Sequence, residues 1–218
     1  MKTALLIGCG SKLGLNITTE LQARGYNTYS ISGSESNDTN HLQINWHTFT
    51  IADLARFLKQ VPKCDLVLFN QNSSSLSSQV FEPQVDTIEL WRLEQHWAQS
   101  YFASCILPFH IVHTLGDRLT STSRVAWMLS NYVHSHPNDV NYGYADYIGN
   151  KHQNYLIMKN FSLNHLGCFV GLNPDVMDCT DWVVKTQSLI GVLESELISG
   201  TVYNFDGTVD TGINVFNI

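Results

Sequence analysis

The sequence predicts an α/β protein built on a doubly wound, mostly parallel sheet of seven strands, with helices on both faces. Three observations predict this fold: short apolar runs alternate with longer amphipathic stretches, the first run leads into a glycine-rich turn, and no repeat or linker interrupts the pattern. Strands that alternate with helices form parallel βαβ units, whose strands are buried on both faces and therefore apolar throughout. We expect a single domain over residues 1–218.

The first half of the chain supplies four of the predicted strands and two helices. The strands are Thr3–Gly8, Asn27–Ser32, Leu42–Asn45 and Asp65–Phe69, and the helices are Leu13–Arg24 and Ile51–Val61. Gly25 ends the first helix. The second helix repeats its apolar side chains at helical spacing and ends before Pro62, because proline has no backbone donor with which to continue a helix.

The second half continues the alternation with longer helices. In chain order we expect a helix Thr87–Leu115, a strand Arg124–Leu129, a helix Tyr144–Leu163, a strand Cys168–Leu172, a helix Asp181–Leu193 and a strand Thr201–Phe205. Pro108 falls inside the first of these helices and predicts a local disturbance there, since proline removes a helical donor. Thr180 is the candidate N-cap of the last helix.

Composition and charge exclude several classes of protein. Of 218 residues, 44% are hydrophobic and 14% are charged, which is typical of a folded domain and not of a disordered chain. The net charge is −7 and no cluster of Lys or Arg occurs, so we expect no nucleic-acid partner. No apolar run reaches the roughly 18 residues of a membrane span, so we expect no membrane association.

The cysteines and histidines indicate neither disulfides nor metal. The five cysteines are odd in number, far apart and without a C-x-x-C pair, which predicts reduced, mostly buried thiols in a cytoplasmic protein. His110 and His113 have helical spacing but no accompanying carboxylate or cysteine, so we expect no metal site.

The residues Leu6-Ile7-Gly8-Cys9 also resemble a lipoprotein cleavage box, which would imply export. An export signal needs an apolar stretch of roughly 7–15 residues, and only Ala4–Ile7 are apolar ahead of Gly8. Cleavage there would also remove most of the first strand. We therefore interpret the segment as a buried strand that leads into a turn.

That turn contains Gly8, Gly10 and Gly14, between the first strand and the first helix. Ligands of parallel sheets bind at the carboxyl ends of the strands, where the strand order reverses. Glycines at this point allow a tight turn and a close approach of backbone N–H groups to phosphate. The spacing G-x-G-x-x-x-G is one residue longer than the familiar dinucleotide fingerprint. The turn alone therefore leaves two interpretations, a nucleotide site or an ordinary βα turn that uses glycine for its geometry.

Three later segments favour the nucleotide site. Asn70–Ser74 reads Asn-Gln-Asn-Ser-Ser after a buried strand, Tyr147 and Lys151 form a Tyr-x-x-x-Lys pair on a predicted helix, and Gly200–Gly207 closes the last strand with Asp-Gly. With the turn Gly8–Gly14, these segments resemble the short-chain dehydrogenase/reductase family, in order and over nearly the whole chain. The resemblance implies a Rossmann-type fold and a nicotinamide cofactor.

Within that family, the variants are similar to pteridine-reductase-like members. These proteins also carry a basic residue where the middle glycine usually lies, here Lys12, followed by Leu13 and Gly14. They have Asn-Ala-Ser in place of Asn-Ala-Gly, which Asn70–Ser74 resembles, and their catalytic helix is similar to "GYADYIGNK", Gly143–Lys151.

The resemblance implies that Tyr147 is the general acid and that Lys151 lowers its pKa and holds the nicotinamide ribose. A bland alternative is that Tyr147 is merely packed and Lys151 merely solvated. Ser130 matches the family's substrate-orienting serine, but it lies 17 residues before Tyr147, a longer interval than the family's. Asn131 and Ser135 are therefore rivals for this role, and Ser130 is our preferred candidate.

The cofactor implied by the resemblance is NADP, with NAD as the other possibility. An acid at the end of the second strand would bind the ribose hydroxyls of NAD. This chain has Ser32 there, with Lys12 nearby in the glycine turn, although Glu35 follows closely. The expected cofactor-binding residues are Gly8, Gly10, Ser11, Lys12, Leu13, Gly14, Ser32, Asn45, Asn70, Tyr147, Lys151 and Pro174.

Two departures from the family pattern keep a second function open. Gln95 stands near the position of the family's helix asparagine, which relays protons through water, and Leu172–Asp175 replaces the usual Pro-Gly with only a short connection to the next helix. Such a connection cannot close over a small substrate, so the pocket would be open or completed by a partner subunit. We expect an NADP-dependent oxidoreductase of a small carbonyl, pterin-like or C=N substrate; the alternative is an NADP-binding regulatory or sensor protein with little catalysis.

By the same resemblance we expect a homodimer or homotetramer. Its interface would use the long helix Thr87–Leu115 and the helix that carries Tyr147. Three aromatic residues of the long helix, Trp97, Tyr101 and Phe102, would be costly to expose on a monomer.

Overall fold

The computed structural model describes residues 1–45, 48–71, 94–95, 97–130, 145–174 and 181–210, with side chains in the helix that starts at residue 145 described from residue 148 onward. The strands are β1 (Lys2–Ile7), β2 (Tyr26–Ser32), β3 (His41–Gln43), β4 (Leu66–Phe69), β5 (Arg124–Met128), β6 (Cys168–Asn173) and β7 (Val202–Asn204). The α-helices are α1 (Lys12–Ala23), α2 (Ile51–Leu58), α3 (Leu107–Leu115), α4 (Ala145–Asn164) and α5 (Trp182–Glu194). Most of their bounds differ from the predicted ones by only a few residues. The exception is the predicted helix Thr87–Leu115, of which α3 is the last part and whose predicted start lies outside the described residues.

The seven strands form one sheet in the order β3-β2-β1-β4-β5-β6-β7, with every strand pair parallel. The chain leaves β1 toward β3 on one side and returns to β4 on the other. Ile7 at the end of β1 therefore pairs with Ile31 of β2 on one side and with Phe69 of β4 on the other. This confirms the predicted Rossmann-type sheet, and it makes the carboxyl ends of β1 and β4 the point where the strand order reverses.

Side chains alternate between two cores because successive residues of a strand point to opposite faces. Leu5 and Ile7 of β1 pack in the layer with α2, α3 and α4, whereas Ala4 and Leu6 pack in the layer with α1 and α5. The first layer is centred on Trp127, which is fully buried and stacks on Phe69 with ring centroids 4.7 Å apart. Helices therefore cover both faces of the sheet, as predicted. None of the described helices is long and apolar enough to cross a membrane.

Local capping fixes where the helices begin. Thr50 and Asp53 form a reciprocal capping box at α2, in which the Thr50 hydroxyl accepts from the Asp53 N–H at 3.2 Å and the Asp53 carboxylate accepts from the Thr50 N–H at 3.1 Å. At α5 the cap is Asp181, whose carboxylate accepts from the Val184 N–H at 3.2 Å. Asp181 is thus the N-cap and not the first helical residue; Thr180, the predicted cap, lies outside the described residues.

The disturbance expected near Pro108 takes the form of a π turn, Phe102–Ile106, directly ahead of α3. In this turn the Leu107 N–H bonds the Phe102 carbonyl five residues back. Residues 97–101, before the turn, are helical. Trp97 and Tyr101 are about half exposed there. Phe102 is not part of that surface, because it is partly buried and meets the ring of Phe49 edge-on at 6.2 Å.

An ion-pair network joins the elements at the amino edge of the sheet. The carboxylate of Glu194, the last residue of α5, accepts hydrogen bonds from Lys2 Nζ at 3.3 Å, Arg24 Nη1 at 2.7 Å and the Tyr26 hydroxyl at 3.2 Å. The network therefore ties the starts of β1 and β2 to the ends of α1 and α5. It lies at the opposite edge from the carboxyl ends of the strands.

Candidate active site

A cavity of about 300 Å³ lies at the carboxyl edge of the sheet, where the strand order reverses. It is bounded by the β1–α1 turn, the end of β2, the end of β4 and the start of α3. The predicted residues that line it are Gly8, Gly10, Ser11, Ser32 and Asn70. Five of the predicted cofactor-binding residues are thus brought together around one space.

The three glycines of the turn are required by close packing within the protein. Gly8 has φ +83°, and a Cβ added to it would lie 2.6 Å from the Gln71 backbone nitrogen. A Cβ on Gly10 would lie 2.2 Å from Ser34 Oγ, and one on Gly14 would lie 2.6 Å from Cys9 Cα. The glycines therefore bring β1, β2, β4 and α1 into contact at the cavity. A turn that uses glycine for its geometry and a turn that binds a nucleotide are compatible interpretations here, because Gly8 and Gly10 also line the cavity.

Asn70 and Ser11 hold the turn in place. Asn70 Nδ2 donates to the Gly8 carbonyl at 3.1 Å and to Ser11 Oγ at 3.2 Å, and Ser11 Oγ accepts from the Gly14 N–H at 3.1 Å as the N-cap of α1. The N–H groups of Lys12 and Leu13 belong to the first turn of α1 and have no intrahelical acceptor. Such N–H groups, at the positive end of a helix dipole, favour an anion.

The end of β2 presents hydroxyl groups to the cavity and no carboxylate. Ser32 is buried, and its hydroxyl accepts from the Ser34 N–H at 3.1 Å. Glu35, the nearest acid in sequence, is exposed. Lys12 is exposed in the first turn of α1, and Leu13 beside it packs into the core beneath the turn.

Asn45 and Pro174 lie apart from this group. Asn45 lines a neighbouring cavity of about 330 Å³ between β3 and α2, and its carbonyl accepts from the Phe49 N–H at 2.7 Å. Pro174 follows the end of β6 and is partly buried, next to Asn173, whose Nδ2 donates to Asp210 Oδ2 at 2.6 Å.

Lys151 lies at the carboxyl end of β5. It projects from α4, its side chain is only 3% exposed, and Nζ donates to the Met128 carbonyl at 2.6 Å. Burial lowers its pKa to about 8. The bland interpretation of a solvated lysine is therefore wrong. Ser130, also buried, follows Met128 by two residues, so the ammonium group and this serine occupy the same end of β5.

Tyr147 belongs to α4 one turn before Lys151, a spacing that places the two residues on one face of the helix. The Tyr147 side chain and both rivals of Ser130, Asn131 and Ser135, lie outside the described residues.

Sequence reasoning missed a polar layer between the long helix and α4. Asn150, which precedes Lys151, donates from Nδ2 to Ser100 Oγ at 2.7 Å, and all three of these side chains are buried. Gln95, which stands near the family's relay asparagine in the sequence, is exposed. The sequence feature that could have indicated this layer is Asn150 itself, a polar residue next to a proposed catalytic lysine on the same helix.

A second missed residue, Gln71, connects the cavity to the π turn. Because Leu107 bonds Phe102 and Pro108 has no N–H, the Ala103 carbonyl lacks both of the donors that a continuing helix would offer. Gln71 Nε2 donates to this carbonyl at 3.1 Å. The side chain thus replaces a backbone donor that proline removes. Pro108 in a helical pattern signals the missing donor, but not which residue replaces it.

Solved structures with the same fold are numerous. A short-chain dehydrogenase/reductase from Serratia marcescens has a TM-score of 0.69 and 14% identity, over 94% of this chain and 96% of that one. An oxidoreductase (short chain dehydrogenase/reductase) from Brucella ovis has a TM-score of 0.68 and 14% identity, over 94% and 99%. A putative short-chain dehydrogenase/reductase from Burkholderia multivorans with bound NADP has a TM-score of 0.68 and 16% identity, over 95% and 98%.

No family model matches the sequence, and no curated protein matches it at a significant level. The chain therefore shares the fold of short-chain dehydrogenases/reductases over most of its length. The similarity to pteridine-reductase-like members stays a prediction.

Proposed function

We propose that this protein is an oxidoreductase that uses NADP(H) to transfer a hydride between the nicotinamide and a small carbonyl, pterin-like or C=N substrate. The observation that carries the proposal is the burial of Lys151 at the carboxyl end of β5, one helical turn from Tyr147. Lysine is seldom fully buried, since desolvation of an ammonium group costs several kcal/mol. A reaction that needs a cation beside a phenol accounts for a lysine at this position.

Tyr147 is the proposed proton donor to the substrate oxygen or nitrogen. A free tyrosine, with a pKa of about 10, is a poor acid–base group at neutral pH. An ammonium group one helical turn away stabilises the phenolate and so makes proton transfer to the substrate easier. Ser130, at the end of the strand that Lys151 contacts, is the proposed group that orients the substrate.

The cavity fits the adenosine half of a nicotinamide dinucleotide. Its volume of about 300 Å³ lies at the lower end of the range for ligand pockets. The N–H groups of Lys12 and Leu13 suit phosphate oxygens, and the hydroxyl groups at the end of β2 leave no carboxylate to repel a 2′-phosphate. Lys12 supplies a cation on the same turn. The hydroxyl groups at the end of β2 together with the Lys12 ammonium group favour NADP over NAD. A bound nicotinamide would supply or accept the hydride.

The test is a titration with NADPH and NADH, followed by a screen of aldehydes, ketones, imines and pterins for nicotinamide oxidation. Tyr147→Phe should abolish turnover with little change in NADPH affinity, because it removes a proton and leaves the binding surface. Lys12→Ala should weaken NADPH binding and leave NADH nearly unchanged. Lys63→Ala removes the same charge from the exposed amino edge of the sheet and is the matched control.

The second candidate function is an NADP-binding regulatory or sensor protein. It is favoured by the connection after β6, since β6 ends at Asn173 and α5 begins at Trp182. That interval is short for a segment that covers a substrate. If the protein binds NADPH, turns over nothing in the screen and is indifferent to Tyr147→Phe, the sensor function replaces the enzyme.

A further inference from the structure

His41, the first residue of β3, is fixed between two segments by both of its ring nitrogens. Nε2 lies 2.9 Å from the Ser34 carbonyl, and Nδ1 lies 2.8 Å from Ser30 Oγ. A carbonyl oxygen only accepts, so Nε2 must carry the proton and Nδ1 of the neutral ring accepts from Ser30. Cys9 Sγ lies farther from Nδ1, at 3.9 Å. The tautomer and the orientation of the ring are therefore determined by its neighbours.

The segment Ser32–Ser34 is bonded to β3 and the residue after it through each of its three backbone carbonyls. The first accepts from the Ile44 backbone N–H at 2.7 Å, and the second from Gln43 Nε2 at 3.4 Å. The third, at the end farthest from the strand, accepts from His41 Nε2. The Ser34 carbonyl also accepts from Ser32 Oγ, but at the longer distance of 3.4 Å. The His41 contact is made by a side chain, so a substitution can remove it without breaking the backbone pairing of β2 with β3.

The same end of the segment packs against the glycine turn. The space where a Gly10 Cβ would stand is filled by Ser34 Oγ, at 2.2 Å, with Ser32 Oγ at 3.3 Å. Both hydroxyl groups therefore lie against the turn that leads into Lys12. Their positions relative to that turn depend on where the Ser34 backbone is held.

We propose that His41 is a positioning residue that sets the preference for NADPH over NADH by holding the segment Ser32–Ser34 against the glycine turn. The inference rests on the proposed NADP-dependent function, since it assigns this segment to the 2′-phosphate. His41 acts through the Ser34 backbone and does not bind the ligand. Without the Nε2 donor, Ser34 keeps only its local bonds to the Ser32 hydroxyl. Its backbone then loses its tie to β3, and the phosphate loses contacts that the ribose of NADH does not use.

The experiment compares wild type, His41→Gln and His41→Phe by isothermal titration with NADPH and with NADH. Glutamine carries an N–H donor at nearly the reach of Nε2, whereas phenylalanine keeps the ring and removes both nitrogens. We expect His41→Phe to weaken NADPH binding about 3- to 10-fold, the effect of one lost hydrogen bond. NADH binding should change less than about twofold. His41→Gln should bind both cofactors as the wild type does.

Each other outcome overturns the inference in a distinguishable way. A wild type that binds neither cofactor removes the proposed function and this inference together. A wild type that binds both cofactors equally removes the inference and leaves the oxidoreductase. If His41→Phe loses the same affinity for NADPH and for NADH, His41 has a general structural role. If His41→Gln loses as much NADPH affinity as His41→Phe does, the Nε2 donor is not the cause. If His41→Phe does not fold, the NADPH-to-NADH ratio of His41→Gln decides, because a ratio unlike the wild type's contradicts the proposal.

Discussion

Replacement of Gly8 by alanine tests whether the glycine turn is closed by backbone packing. Gly8 has φ +83°, and a left-handed conformation costs an L-residue about 1–2 kcal/mol. The new Cβ would also lie 2.6 Å from the Gln71 nitrogen, 2.7 Å from Gln71 Cα and 2.8 Å from the Asn70 carbonyl carbon. These atoms belong to the backbone and cannot rotate away, so an overpacking cost of about 1–3 kcal/mol adds to the first. The free energy of unfolding should fall by about 2–5 kcal/mol in total.

Gly25 provides the matched control for this substitution. Its φ is +79°, and a Cβ added there would meet no atom within 4 Å. Gly25→Ala therefore has the conformational cost, about 1–2 kcal/mol, without the collision. Both substitutions restrict the unfolded chain equally, so that contribution cancels in the comparison.

The assay is urea denaturation of the ligand-free protein, followed by circular dichroism. We expect Gly8→Ala to lose about 1–3 kcal/mol more than Gly25→Ala, which corresponds to about 2–12 °C in Tm for a protein of this size. Equal losses in the two variants would refute the argument, because they would show that the end of β4 does not press on the turn.

Three further predictions concern charge and assembly. Between pH 8 and 10.5 the unfolded chain holds a proton that folded Lys151 has released, so stability should rise with pH by up to about 3 kcal/mol, and Lys151→Met should remove that rise when urea denaturation is compared at pH 7 and pH 10. Burial raises the pKa of Glu194, but the hydrogen bond from Arg24 and the remaining contacts lower it by more, so the net pKa lies below its ordinary value of 4.5. The stability advantage over Glu194→Gln should therefore be complete above pH 4.5 and disappear as the pH falls below it; an advantage that persists in acid would contradict the network. Light scattering at micromolar concentration should give a dimer or tetramer, because Trp97 remains 52% exposed on the single chain, and a monodisperse monomer would exclude this assembly.

The sequence predicted those features that depend on short stretches of chain. Strands such as Leu66–Phe69 are apolar along their whole length, and the glycines of the first turn lie where residues from three strands and a helix come close together. The burial of Lys151 could not be predicted this way, because it depends on the docking of α4 against the end of β5. The same limit applies to Gln71, which contacts a carbonyl 32 residues away.

Asn45 shows a related limit. It was predicted as the last residue of a strand, whereas β3 ends at Gln43. A position in sequence also does not say which of two adjoining cavities a residue lines. The residues between Ser130 and Tyr147 show no periodic pattern in the sequence, so the candidates for the substrate-orienting group could be chosen only by their place in the chain.

The ion-pair network around Glu194 has a consequence for how substitutions in this protein combine. Lys2, Arg24 and Tyr26 meet Glu194 at the amino edge of the sheet, and Lys151 lies at the other edge, bonded to the Met128 carbonyl. Changes at distant, independent sites usually add to within about 0.3–0.5 kcal/mol. A double-mutant cycle between Glu194→Gln and Lys151→Met should thus show almost no interaction energy. Substitutions in the Glu194 network can therefore alter the free energy of unfolding while the pKa of Lys151 at the other edge stays nearly constant.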